Sequence, residues 1–165
     1  MATGNRLIDA LSEQTTILHE LQQTLQDEQR AIAEINTPLM ESLNGQKEQL
    51  ILQQRQAAEK LRQAITEAAN QYGLPQSVGL PEVMEKMPPA IRSQVEPLQQ
   101  NAKKLGTAVS VLANQNRGML ERFLGVVNDS LSFILRILST STTYGMRGTY
   151  LANNQSGAVM VNREV

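Results

Sequence analysis

His19 is the single histidine of the chain and is followed by Glu20. A zincin-type metal site needs a second histidine four residues on, and a di-iron bundle needs Glu-x-x-His pairs; neither spacing occurs. With no cysteine at all, a thiol nucleophile, a Cys-based zinc site, an iron–sulfur cluster and a disulfide are excluded for want of the side chains that build them. The stretch Gly145-Met-Arg-Gly148 has the glycines that let backbone amides converge on an anion, but no lysine follows it and no strand pattern precedes it, so it reads as a turn. No catalytic residue, metal or cofactor is therefore expected, and the chain is not read as an enzyme.

The elements that such residues would sit on point to a binding protein. Fifteen Lys and Arg stand against sixteen Asp and Glu, a net charge of −1, so the chain lacks the positive field that a nucleic-acid partner requires. The first residues show no basic region leading into an apolar run, which predicts no secretory signal. The most apolar stretch, 118–138, is interrupted by Glu121, Arg122, Asn128, Asp129 and Arg136, which argues against stable membrane insertion. A cytoplasmic protein of one domain is expected from the 165 residues. Hydrophobic residues make up 41% but aromatics only 3%, with 21 Leu and 18 Gln, so thin seams between helices are expected in place of a thick globular core.

Periodicity defines three helices. With Leu7 at position a of a heptad, the a series reads Leu7, Gln14, Leu21, Glu28, Ile35 and the d series Leu11, Leu18, Leu25, Ile32, Leu39. This helix is placed at about 4–36. Asn36-Thr37-Pro38 reads as a break, with Thr37 as the N-cap of a second helix over about 38–72 and Gly45 as its weak point. The apolar series Leu43, Leu50, Ala57, Leu61, Ile65, Ala68 and Tyr72 supports it. Residues 73–95 form a connector punctuated by Pro75, Pro81, Pro88 and Pro89, with a helical turn at Glu82 to Lys86.

A third helix is predicted over 96–138, its seam running through Leu98, Leu105, Val109, Leu112, Leu120, Phe123, Val127, Leu131, Ile134 and Leu138 with Asn116 inside it. Residues 1–72 carry net −4 and 90–138 net +3, a split that favours packing the third helix on the hairpin. Residues 139–165 turn abruptly to Ser, Thr, Asn and Gly and read as a flexible tail. The expected fold is all-α: an elongated antiparallel hairpin plus a long third helix, a coiled-coil-like three-helix bundle over 1–138 with a flexible C-terminal tail.

The anomaly lies at the end of the third helix. Ten of the sixteen residues from Phe123 to Leu138 are apolar and fall on nearly every side of a helical wheel. One hairpin covers one stripe, which leaves Leu124, Val126, Phe133 and Ile137 at least partly uncovered. Three readings stand at this point: the connector or tail folds over the second face, two copies associate, or the strip takes an amphipathic helix of another protein.

Layout and tail together resemble the FlgN-type flagellar export chaperones. The resemblance is carried by the Leu-rich acidic helix from Leu7 to Ile35, the stretch Leu43-Asn-Gly-Gln-Lys47-Glu-Gln-Leu50, and Leu112-Ala-Asn114-Gln-Asn116-Arg117 ahead of the apolar run from Leu120 to Leu138. Its most distinctive piece is Thr143-Tyr144-Gly145-Met146-Arg147-Gly148, similar to a Tyr-Gly-x-x-Gly element after the last helix of these chaperones. The resemblance implies a cytoplasmic chaperone that binds amphipathic terminal helices of unassembled hook–filament junction subunits and delivers them to the type III export apparatus. It places client binding in the C-terminal region, here Leu120, Phe123, Leu124, Val127, Leu131, Phe133, Ile134, Ile137 and Leu138, with Tyr144, Tyr150 and Leu151 from the tail. The competing readings are a structural coiled-coil protein acting as a homodimer or tether without a client, and an amphipathic helix lying on a membrane surface.

Overall fold

The computed structural model describes residues 2–140, with side-chain environments for 4–137. Among the described residues the elements are helices without strands: α1 (Ala2–Ala33), α2 (Thr37–Gln71), α3 (Leu80–Lys86) and α4 (Pro89–Thr140). The chain divides into two compact units, Met1–Glu121 and Arg122–Val165, with the division inside α4.

In the first unit the α1 heptad is the organising seam. Leu7, Leu11, Gln14, Leu18, Leu21, Leu25, Glu28 and Ile32 are all buried, so every a and d position up to the end of the helix faces protein. The pattern stops at the hairpin turn. Ile35, expected at a, is 59% exposed and adopts a left-handed backbone with φ 54°, and Leu39, expected at d, lies in the next helix and is 40% exposed. The reason is a Schellman closure: Asn36 N–H donates to the Ala31 carbonyl and Ile35 N–H to the Ile32 carbonyl, which ends the helix at Ala33. The side-chain oxygen of Asn36 then accepts from Leu39 N–H at 3.2 Å, so Asn36 caps α2 and Thr37, the expected cap, is already helical ahead of Pro38.

Helix α2 runs through Gly45 without interruption and ends before Gly73 as expected. Gly73 supplies φ 68°, with its N–H bonded to the Asn70 carbonyl and the Leu74 N–H to the Ala69 carbonyl, a second Schellman closure on the residue type suited to it. Ion pairs Arg6–Glu67 at 2.9 Å and Lys60–Glu13 at 2.7 Å cross from α1 to α2 on the exposed side. Each contributes little, at about 0 to 1 kcal/mol.

The helical turn expected at Glu82 to Lys86 is present as α3, which begins two residues earlier at Leu80. The departure lies in α4, which begins at Pro89 and not near Glu96. Leu80, Val83, Met84 and Met87 recur at helical spacing and are buried in one cluster with Leu7, Leu11, Ala64, Ala68, Ala69 and Val95. Burying that face stabilises a seven-residue helix that would not persist alone. Pro89 opens α4, where a missing N–H is harmless, and Pro97 is carried inside the helix on an exposed face. Gly4 admits this close packing, since a Cβ there would stand 2.9 Å from Ile91 Cδ1.

Contacts therefore pair the start of α4 with the start of α1. Further along, Val109 and Leu112 pack against Ile17, Leu21, Leu25, Leu50 and Ala57, and Asn116 donates to the Leu25 carbonyl at 2.8 Å. Within the first unit α4 thus runs parallel to α1 and antiparallel to α2, and the connector is what returns the chain to the starting end. Among the described residues of the first unit, the charge split between hairpin and third helix is not expressed as ion pairs between α4 and the hairpin. Arg117 pairs with Glu121 of its own helix at 2.9 Å, while Gln29 and Gln115 bridge α1 and α4 by an amide hydrogen bond at 3.4 Å.

Candidate functional site

The residues singled out for partner binding lie along the last part of α4, and the structure sorts them. Helix α1 ends at Ala33, five residues past Glu28; the same count along α4 from Asn116, which contacts Glu28, reaches Glu121. Leu120 and Phe123 are half-buried. Beyond them the large apolar residues of α4 up to Ile137 are solvent-exposed, which corrects the expectation of a covered seam through Val127, Leu131 and Ile134. Val127 is 37%, Leu131 52%, Ile134 50% and Phe133 65% exposed, and Leu124, Val126, Leu135 and Ile137 are exposed as well.

Covering the strip from within is partly answered. The connector's apolar face is spent on the cluster around Leu7, Leu11 and Ala68. Leu138 lies in α4, but its side chain is outside the described environments, and Tyr144, Tyr150, Leu151 and the Gly145–Gly148 stretch fall outside the described residues altogether.

A run of exposed Leu, Val, Ile and Phe on one helix is larger than the scattered apolar residues normal on a protein surface, and it offers no polar group for chemistry. What it can do is exclude water with another apolar surface. Gly125, Asn128, Ser130 and Ser132 interleave the large apolar side chains in the sequence of the helix. Knobs from a second helix fit between large side chains so spaced. Among the described residues no helix is long and apolar enough to cross a membrane.

The clefts of the first unit have a different character. One, of about 410 Å³, lies between α1 and α2 and is lined by Glu20, Gln23, Thr24, Asp27, Gln46, Gln49, Leu50 and Gln53. It has carboxylates and amides but no nucleophile beside a base. His19 is exposed on α1, with Gln23 Nε2 3.4 Å from its Nε2, as expected for a surface histidine. Arg62 donates to Glu59 through Nε at 3.1 Å and Nη2 at 2.9 Å. That hydrogen bond is the main reason the Glu59 carboxyl sits below the usual range, and Gln63 adds to it. Both are exposed groups on one helix face, a structural pair.

The buried polar residues are what sequence reasoning placed without recognising. Glu28, an a position, and Asn116, inside the third-helix seam, meet at 2.9 Å, and Lys47 of α2 bonds the other Glu28 oxygen at 2.5 Å. Their spacing was visible; that three helices bring them into one layer was not.

An all-α chain whose helices bury one seam and leave the end of the last helix apolar and open belongs to the class of helical binding proteins. Comparison gives the family: a model of the FlgN family, described as FlgN protein, matches residues 1–152, and the chain belongs to that family, the flagellar export chaperones. No curated protein and no solved structure matches the chain.

Proposed function

We propose that this chaperone holds the amphipathic terminal helix of an unassembled hook–filament junction subunit along α4 from Leu120 to Leu138, prevents its premature assembly in the cytoplasm, and delivers it to the type III export apparatus. The observation that carries the reading is the exposure of Val127, Leu131, Phe133 and Ile134 on a helix whose earlier seam residues are covered. An apolar groove-and-ridge surface of this kind binds a partner helix through its anchors at i, i+3, i+4 and i+7. Tyr144, Tyr150 and Leu151 add contact area from the tail, and their ordering on the client carries an entropic cost that keeps the complex reversible. Family membership supports the chaperone role in general.

The coiled-coil tether is less well supported, because the α1 heptad that would drive dimerisation is covered by the chain's own α2, α3 and α4. The test is affinity capture of junction subunits from flagellated cells by the native chain, by a chain lacking residues 139–165, and by Leu131→Glu/Phe133→Glu. Loss of capture in both variants is expected. Full capture by both would remove the site from α4.

A further inference from the structure

Glu28, Lys47 and Asn116 are contributed by α1, α2 and α4 respectively, and they meet inside the bundle. Asn116 is 2% and Glu28 6% exposed. Asn116 Nδ2 donates to Glu28 Oε2 at 2.9 Å and to the Leu25 carbonyl at 2.8 Å, while Lys47 Nζ donates to Glu28 Oε1. Both protons of the amide nitrogen are thereby used, and both carboxylate oxygens have a donor. Asn116 Oδ1 is buried with no hydrogen-bond partner. A layer built for stability alone would have no orphan acceptor and would carry leucine at these positions, since buried ion pairs are often matched or bettered by apolar residues of similar volume.

The seam of α4 makes this layer consequential. It is apolar on both sides of Asn116, with Leu105, Val109 and Leu112 before it and Leu120, Phe123 and Val127 after it. Around Asn116, a slide of one heptad, about 10.5 Å at 1.5 Å per residue, puts one apolar seam residue where another stood, so apolar burial there discriminates weakly between registers. A slide in one direction puts Phe123 opposite Glu28 and Lys47; in the other it puts Val109 there. Either would strip Glu28 Oε2 of its amide donor inside the bundle, where an unpaired charged oxygen is expensive. Polar residues at single seam positions fix register by this penalty on the wrong alignments.

We propose that the Glu28–Lys47–Asn116 layer is a register pin that sets where α4 docks on the hairpin. It fixes which residues of α4 within the first unit, Val109 and Leu112 among them, pack on α1 and α2. The layer is a positioning device, independent of what binds the exposed residues.

The chain has no cysteine, so disulfide mapping reads register directly. Gln29 is paired with Gln115 in the structure; Gln29→Cys is combined in turn with Gln115→Cys, Ala108→Cys and Arg122→Cys in the full chain, where the last two report slides of one heptad each way. The native layer is expected to cross-link 29 with 115 alone. In an Asn116→Leu background the exclusive preference for 115 is expected to be lost, with the 108 or 122 pair appearing, while circular dichroism shows full helix and an unchanged or higher melting temperature. Asn116→Leu/Phe123→Asn moves the amide one heptad and is expected to shift cross-linking to 29 with 122. Exclusive 29–115 cross-linking in both variants would overturn the proposal. Should Asn116→Leu not fold, the transposed variant decides alone, and its failure to fold or to prefer 122 counts against the pin.

Discussion

Replacing Phe133 by alanine separates a binding surface from a core. Phe133 is 65% exposed, and a phenylalanine buries roughly 150–250 Å² when fully covered, so about 100–160 Å² of its surface is open to solvent. At roughly 25 cal/mol per Å² the covered ring is worth about 2.5–4 kcal/mol. Alanine keeps a small part of that contact, which leaves a loss of about 2–3 kcal/mol, or roughly 30- to 140-fold in Kd. The same substitution removes little that the free chain uses, and its unfolding free energy is expected to change by no more than about 0.5 kcal/mol. Titration calorimetry with the terminal-helix peptide of a junction subunit gives the first number and urea unfolding the second, with Val111→Ala, 49% exposed in the first unit, as the control that leaves binding unchanged. The reasoning fails if Phe133→Ala binds like the native chain, or if it loses more than about 1.5 kcal/mol of stability, because the ring would then be part of a core.

Other substitutions test the fold that presents the strip. Leu11 is 2% exposed in the cluster that joins α1 to α3 and α4, so Leu11→Ala is expected to lower unfolding free energy by about 3 kcal/mol, within the usual 2–5 for such cavities, read from the urea midpoint. Gly45 sits inside α2 with open space where a Cβ would stand, and Gly45→Ala is expected to raise stability by about 0.5–1 kcal/mol. Gly73→Ala has equal space but φ 68°, so it is expected to lower stability by about 1 kcal/mol, a difference of sign that thermal melts resolve. The Glu59 carboxyl is held below its ordinary range chiefly by the Arg62 hydrogen bond. A depressed carboxyl contributes its pairing above the ordinary Glu range and loses it as pH falls through the lowered midpoint. Carbon-detected NMR titration of the native chain is expected to show the lowered midpoint, and Arg62→Gln to return it toward the ordinary value.

Much of this architecture is readable in the residues. The α1 heptad from Leu7 to Ile32 states which face is buried, because a period of seven on a long helix leaves one stripe to cover. Gly73 marks the end of α2, since the left-handed closure there favours glycine. The same rule hid the end of α1, where Ile35 takes the left-handed position against its preference and the heptad pattern runs on past the helix. The packing of the connector was hidden for another reason: four prolines drew attention to interruption, while Leu80, Val83, Met84 and Met87 carried an i, i+3, i+4, i+7 face in plain view. Their burial depends on Leu7, Ala68 and Val95 meeting at one end of the hairpin, and no local window contains that meeting. Asn116 and Glu28 were likewise visible as polar residues in apolar series, but their partnership spans 88 positions. At the candidate site, composition located the apolar concentration after Phe123, and Val127, Leu131 and Ile134 are exposed there although the α4 pattern continues unbroken.

Hydrogen exchange across α4 in the free chain and in its complex with a junction subunit tests the central claim most directly. Amides from 123 to 137 are expected to exchange quickly in the free chain and to slow strongly on binding, while α1 and α2 around the cleft lined by Gln23 and Gln49 remain unchanged. Protection confined to the hairpin, with 123–137 exchanging as before, would contradict the account.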